Sequence, residues 1–203
     1  MVPLHKEDDK LNCNNYKGIS LLNTTYKVFA KILLGILQPF ADEYVEEYQC
    51  GFRKGKSTMD QLSVIGQIIE KKYEYKQNKW QLFVDFKKAY DRIHRESFYN
   101  IMYEFGIPNM LIFLTKVCMN GTKYQVRVDN VLSEEFQVVT GLKQDDTLSP
   151  LLLNIALEKV VRNIQRDNHN IDIGTNKIGI LGFANDLNIV GDDGESVVQS
   201  TAL

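Results

Sequence analysis

The sequence predicts an α+β fold, and three observations carry that reading. Apolar residues recur at helical spacing along several stretches, shorter apolar runs of strand length interrupt them, and the two kinds alternate without the βαβ rhythm of a parallel sheet. The chain has 203 residues, 44% of them apolar, enough for one sizeable core or two small ones sharing a seam.

Taken in order, residues 26–38 read as an apolar helix that Pro39 stops. Residues 57–76 read as a long amphipathic helix, with Ser57 and Asp60 three positions on as an N-cap signal. Leu62, Ile65, Ile68, Ile69 and Tyr73 are expected to form its buried stripe, leaving Lys71, Lys72 and Lys76 exposed. The run 80–86, Trp-Gln-Leu-Phe-Val-Asp-Phe, is nearly continuous in apolar residues and suits a buried strand. Helices are expected near 95–105 and 109–119, split by Gly106 and Pro108, and Asn120-Gly121 then turns into strands near 123–128 and 135–139. Pro150 suits a helix start, with Leu153, Leu157, Val160, Val161 and Ile164 on one buried face. Ile178 to Phe183 and Leu187 to Val190 flank Ala-Asn-Asp, which reads as a β-hairpin.

Charge is nearly balanced, 24 basic against 26 acidic residues, and this composition excludes a disordered tail, a collagenous chain and a coiled-coil rod. No window approaches the roughly 18 consecutive apolar residues of a membrane span. The charged stretch 1–9 lacks the apolar segment of a signal peptide, so the expected location is intracellular, in nucleus or cytoplasm. Sequons at Asn23 and Asn120 have no meaning on that reading. Cys13, Cys50 and Cys118 are odd in number and include no C-x-x-C pair, which favours reduced, buried thiols over a zinc site or disulfides. His5, His94 and His169 lack metal-ligand spacing and are expected at the surface. The mean charge conceals a segregation: residues 51–95 hold 11 Lys/Arg against 5 Asp/Glu, whereas residues 183–203 hold four acids and no base. That pattern suits a phosphate-facing surface beside a carboxylate site, or two solvated faces.

Asp85 interrupts the apolar run Leu82-Phe83-Val84-Asp85-Phe86 where a buried side chain is expected, and an unpaired carboxylate there would cost several kcal/mol. Asp186 repeats the arrangement in the second hairpin, between Phe183 and Leu187. The two could converge on one Mg²⁺ or Mn²⁺, with substrate phosphates completing the shell, or they could be one salt-bridged and one turn aspartate. The stretch Gly51-Phe-Arg-Lys-Gly-Lys-Ser-Thr58 suggests a P-loop, but the pattern's first glycine falls at Cys50 and the preceding residues are acidic rather than strand-like. What remains is a basic loop, Arg53, Lys54 and Lys56, entering a helix N-terminus, which suits a polyphosphate contact or a solvated turn.

Five blocks in order resemble a known family. They are Asn15-Tyr-Lys-Gly-Ile-Ser-Leu-Leu22, Gln49-Cys-Gly-Phe-Arg-Lys-Gly-Lys-Ser-Thr58, Phe83-Val-Asp-Phe-Lys-Lys-Ala-Tyr-Asp91, Gly141-Leu-Lys-Gln-Asp-Asp-Thr-Leu-Ser-Pro150 and Gly182-Phe-Ala-Asn-Asp-Leu187. Together they are similar to the reverse transcriptase domain of non-LTR (LINE-type) retrotransposons, and they span nearly the whole chain. The resemblance implies a right-hand polymerase palm, an antiparallel sheet backed by helices, with partial fingers, about 1–80 fingers-like and about 80–203 palm-like, and with no room for a thumb. It implies an RNA template, a DNA primer, deoxynucleoside triphosphates and two-metal nucleotidyl transfer with Mg²⁺ or Mn²⁺. By the same resemblance Asp85 and Asp186 are catalytic metal ligands, Tyr90 screens the sugar 2′ position, Phe86 and Gln144 lie beside the nucleotide, and Arg53 and Lys56 touch its triphosphate.

Two residues depart from the family pattern. The Phe/Tyr-Ala-Asp-Asp block reads Phe183-Ala-Asn185-Asp186, which puts a neutral amide where a shared metal ligand is expected. Gln-Gly-Asp reads Gln144-Asp145-Asp146, adding a side chain and a negative charge where glycine lets backbone approach nucleic acid. Two functions follow: an impaired or inactive RNA-directed DNA polymerase domain, or a non-catalytic nucleic-acid-binding remnant that keeps the basic surface. A third reading is a fold with no selected role; primer extension with Mg²⁺ and Mn²⁺ separates the polymerase from the other two, and a salt-dependent binding slope separates the remnant from the third.

Overall fold

Elements follow one another as β1 (Val2–His5), β2 (Tyr16–Ile19), α1 (Thr24–Tyr44), α2 (Thr58–Glu74), β3 (Trp80–Asp85), α3 (Ala89–Arg92), α4 (Arg95–Glu104) and α5 (Asn109–Met119). Four two-residue strands come next, β4 (Lys123–Tyr124), β5 (Arg127–Val128), β6 (Val131–Leu132) and β7 (Phe136–Gln137). The chain continues through α6 (Ser149–Gln165), β8 (Ile171–Ile173), β9 (Asn176–Ile178), β10 (Ile180–Phe183), β11 (Asp186–Gly191) and α7 (Gly194–Gln199). This computed structural model describes residues 1–6, 9–165, 171–173 and 176–199; His169 lies outside them. The mixture of helices and antiparallel strands is the expected α+β class. Two compact units divide it, Met1–Phe40 with Tyr90–Leu152 and Ala41–Ala89 with Leu153–Leu203.

In the first unit β1 and β2 form an antiparallel pair, and α4 and α5 bury Phe98, Tyr99, Met102, Leu111 and Ile112. Arg95, 5% exposed, organises the loop that follows β7. Its guanidinium donates to the carbonyls of Gly141 (3.0 Å), Met119 (2.7 Å), Val138 (2.9 Å) and Thr140 (3.3 Å). Buried charge is tolerated there because every side of the fork meets an acceptor. Farther along the same loop, Tyr26 donates to the buried carboxylate of Asp146 at 2.6 Å, and the Lys143 ammonium sits 4.0 Å from the Tyr26 ring centre.

The second unit is built on the antiparallel sheet β10-β11-β3, with β11 in the middle. Strand alternation sends Leu82, Val84, Ile180, Leu187 and Ile189 to one face, where they pack with Tyr48, with Val161 and Ile164 of α6 and with Val197 of α7. Leu181 and Val190 point to the other face and meet Val64, Ile65 and Ile68 of α2.

Four sequence expectations are corrected here. First, the stripe of α2 is rotated: Ile68 is fully buried, but Leu62, Ile69 and Tyr73 are 58%, 52% and 86% exposed. The buried phase runs instead through Gln61, Val64, Ile65, Ile68 and Lys72 because two polar members find partners. Gln61 donates to the Tyr48 carbonyl at 2.8 Å, and Lys72 pairs with Asp192 and Gln77. Second, α1 does not stop at Pro39 but runs to Tyr44. The carbonyl that loses its partner belongs to Gly35, which is exposed and can be hydrated, while the stripe Ala30, Leu33, Leu37, Ala41 continues to bury apolar surface through the proline. Third, β3 is half-exposed rather than buried, with Phe83 and Asp85 both on the open face. Fourth, Cys13 is exposed, whereas Cys50 and Cys118 are buried as expected; all three are free thiols.

Candidate active site

The hairpin β10–β11 closes through a two-residue loop, Ala184-Asn185, between the paired residues Phe183 and Asp186. Ala184 has φ +57°, and positive φ at the first loop position matches the right-handed twist of the flanking strands. On the other side β11 pairs with β3 in a register that sets Asp186 directly opposite Asp85. Directly opposed side chains on one sheet face have Cβ atoms ~4.5–5.5 Å apart, and two like charges there repel. Both carboxylates are exposed, so the cost anticipated for a buried Asp85 does not arise; mutual repulsion takes its place. Asn185 relieves it: its side-chain nitrogen donates to Asp85 Oδ1 at 3.2 Å and to Asp186 Oδ1 at 3.4 Å.

Two hard carboxylate oxygens facing one point in solvent fit a Mg²⁺- or Mn²⁺-class ion that keeps several water or phosphate ligands. Among the described residues there is no cluster of three or more His, Cys, Asp or Glu side chains, because the third position at this point is the amide of Asn185. The donor set therefore fits an open, two-carboxylate site and not a closed cage.

Phe86 follows directly on β3 and is half-buried against the sheet core. Arg53 and Lys56 of the basic loop are turned toward acids of their own unit. Arg53 donates to the carbonyls of Glu46 (2.7 Å) and Gln49 (3.4 Å), and Lys56 pairs with Glu47. That pairing holds the Glu47 carboxyl below its usual range, even though Glu47 is largely exposed. Ser57 caps α2 as expected, its N–H donating to Asp60 at 2.6 Å.

Tyr90 and Gln144 both belong to the first unit, on segments tied to each other through their neighbours. The Leu142 N–H donates to the Tyr90 carbonyl at 2.7 Å, and a side chain on Gly141 would collide with the backbone of Tyr90 and Asp91. Gln144 donates to Asp91 Oδ1 at 3.0 Å, which leaves its own amide oxygen buried without a partner on the wall of a cavity of about 270 Å³. Burial, and then the negative charge of Asp145, push the Tyr90 phenol up. Asp145 itself has φ +66°.

Sequence reasoning quoted Gln49, Gly51 and Ala184 within its motif blocks but gave them no role. Gln49 is fully buried and grips Ala184 through both ends of its amide. The sequence carries little signal for it: Gln49 follows Glu46, Glu47 and Tyr48 and precedes Cys50, a stretch whose local pattern does not mark a buried amide.

Residues 4–202 match the family described as reverse transcriptase (RNA-dependent DNA polymerase). The chain belongs to the reverse transcriptase family. Its similar relatives include the probable RNA-directed DNA polymerase from transposon X-element of Drosophila melanogaster, 30% identical over 68% of this chain and 15% of that protein. Another is the Pol polyprotein of the type-1 retrotransposable element R2 of Nasonia vitripennis, 23% identical over 98% of this chain and 19% of that protein. These are reverse transcriptases of non-LTR retrotransposons, and the chain spans under a fifth of the length of each. Among solved structures, telomerase from Candida tropicalis in complex with a fragment of telomeric RNA superposes with a TM-score of 0.62 at 10% identity, covering 82% of this chain and 29% of that one. The apo form of that telomerase gives 0.55 at 10% identity over 87% of this chain and 32% of its own. The shared fold is that of a polymerase palm. Reverse transcriptases generally use divalent metal ions, and no helix among the described residues is long and apolar enough to cross a membrane.

Proposed function

We propose that this chain is the nucleotidyl-transfer region of an RNA-directed DNA polymerase, extending a DNA primer on an RNA template with deoxynucleoside triphosphates, and that Asn185 and Asp145 lower its activity. The observation that supports this most is the register of β3 against β11, which opposes Asp85 and Asp186 on an exposed face at the end of an otherwise apolar sheet. Bound there, Mg²⁺ or Mn²⁺ would neutralise triphosphate charge and acidify the attacking hydroxyl. Asp85 and Asp186 would hold the ion, and by the family resemblance Tyr90 would screen the sugar 2′ position. Gln144, with one end of its amide committed to Asp91, offers its free oxygen to a donor on the nucleotide or template. Lys56 and Arg53 are the cations of the triphosphate site. A polyphosphate carries more charge than Glu47 and competes with it for Lys56. Asn185 satisfies the two aspartates with a neutral amide, which weakens the demand for a cation at the same point.

Titration of the chain with Mn²⁺ by calorimetry, beside extension of a primed RNA template at low salt, tests the reading. Asp85→Ala is expected to abolish the Mn²⁺ heat, and the unmodified chain to add one nucleotide at most. Mn²⁺ binding indifferent to Asp85→Ala would remove the metal assignment. Processive extension that Asp85→Ala abolishes would show that Asn185 and Asp145 cost little.

A further inference from the structure

The turn that carries Asn185 and delivers Asp186 is held from outside the hairpin. Ala184 lies at φ +57°, a region that L side chains rarely adopt and that glycine favours at this loop position. Nothing within Ala184 supplies what a glycine would. Gln49 does, through two hydrogen bonds shaped like those of a strand partner. The Ala184 N–H donates to Gln49 Oε1 at 2.8 Å, and Gln49 Nε2 donates to the Ala184 carbonyl at 3.0 Å. The same Oε1 accepts from the Gly51 N–H at 2.8 Å, so both of its lone pairs are used, and the side chain is 0% exposed.

The segment that presents Gln49 is itself fixed. Gly182 donates to the Tyr48 carbonyl at 2.9 Å and accepts from the Cys50 N–H at 2.8 Å, which makes 48–50 a short parallel partner of β10. Asn154 of α6 donates to the Gly51 carbonyl at 3.0 Å. Gly51 has no alternative residue, because a Cβ there would fall inside the backbone of Phe183 and Ala184. The clamp is thus rigid and aimed at one residue, Ala184, whose two flanking peptide groups it grips.

We propose that Gln49 is a positioning residue of the polymerase site: its buried amide holds Ala184 in the left-handed conformation and thereby sets Asn185 and Asp186 against Asp85. The inference rests on the polymerase reading for its functional meaning but not for its geometry. Without the clamp Ala184 relaxes toward the right-handed or extended basin, the two-residue loop opens, and the carboxylates of Asp186 and Asp85 lose their common focus.

The test uses the 203-residue chain, Gln49→Ala, Ala184→Gly and the double variant, with three readouts: hydrogen exchange of the Ala184 amide, Mn²⁺ affinity, and thermal melting. In the unmodified chain the Ala184 amide is expected to exchange at least 100-fold more slowly than an exposed amide, and Gln49→Ala to remove that protection. Gln49→Ala should weaken Mn²⁺ binding at least tenfold, and Ala184→Gly in the same chain should restore it to within about threefold, while the melting temperature stays low. That rescue separates positioning from general stability, since glycine refills no cavity. An unprotected Ala184 amide in the unmodified chain overturns the proposal even if Gln49→Ala does not fold. So does a loss of Mn²⁺ affinity that Ala184→Gly fails to restore. Failure of the polymerase reading looks different: Mn²⁺ binding would then be indifferent to Asp85→Ala, with the Ala184 protection intact.

Discussion

Asp145 holds φ +66° without being glycine, and its negative charge acts on the half-buried phenol of Tyr90. Aspartate tolerates this region better than most residues, so the backbone penalty is modest, about 1 kcal/mol. Asp145→Gly relieves it but frees the unfolded chain, which offsets ~0.5–1 kcal/mol, so thermal melting should change little. The electrostatic consequence is cleaner. Asp145→Asn removes the charge with the backbone unchanged, and spectrophotometric titration should find the Tyr90 pKa lowered, though still above that of a free tyrosine because burial is the larger cause. An unmoved Tyr90 titration would separate the two side chains. Asn185 admits a second test. Asn185→Asp replaces the bridging donor with a third carboxylate beside Asp85 and Asp186, so in chelator the variant should melt lower, by about 1 kcal/mol of like-charge repulsion. Mn²⁺ should then stabilise Asn185→Asp more than the parent, because the ion binds only the folded arrangement. Equal Mn²⁺ responses in the two chains would show that position 185 does not face the ion.

At the level of elements, legibility followed how local the determinant was. The hairpin β10–β11, the helices α4 and α5 and the start of α6 were set by turn residues and short apolar runs, and they stand where the sequence puts them. The length of α2 and its Ser57–Asp60 cap were equally legible, but its phase was not. Apolar residues lie on both faces of that helix, and periodicity alone joined Ile65 and Ile68 of the buried face to Leu62, Ile69 and Tyr73 of the exposed one. The partners of Gln61 and Lys72 decided the phase, and two of them, Gly182 and Asp192, lie more than a hundred residues away. Pro39 illustrates the same point from the other side: a local stop signal yields when its orphaned carbonyl is exposed and the apolar stripe continues. The phase is checkable by urea unfolding. Ile68→Ala should cost ~2–4 kcal/mol as a cavity in a closed contact with Leu181 and Val190, and Leu62→Ala under ~0.5 kcal/mol. Comparable losses would restore the stripe first expected.

On the scale of the whole molecule, the candidate site was legible wherever chemistry and a strand end coincided, as at Asp85 and Asp186, and illegible where a backbone conformation had to be supported from elsewhere, as at Ala184 by Gln49. The same contrast governs global stability against pH. Burial raises the phenols of Tyr26, Tyr90, Tyr99 and Tyr124 in the first unit and of Tyr48 in the second, Tyr99 being pushed up to about 12. A free tyrosine ionises near pH 10, so below that pH both folded and unfolded chains hold these protons and stability is unaffected. Above it the unfolded chain releases them and the folded chain does not, so stability falls as pH rises from about 10 toward the folded values. The fully buried Tyr99 alone contributes a slope of about 1.4 kcal/mol per pH unit over that window. Four of these five phenols belong to the first unit, which should therefore yield first. Trp80, the chain's single tryptophan, sits on β3 of the second unit, so its fluorescence reports that unit, while tyrosinate absorbance reports chiefly the other. Raising the pH from 9 to 12 should give a steep, cooperative rise in tyrosinate absorbance with loss of helical circular dichroism, and the Trp80 emission should shift only later. Smooth titration of all ten phenols near pH 10 with the circular dichroism intact would mean that these five rings are not packed as the structure has them.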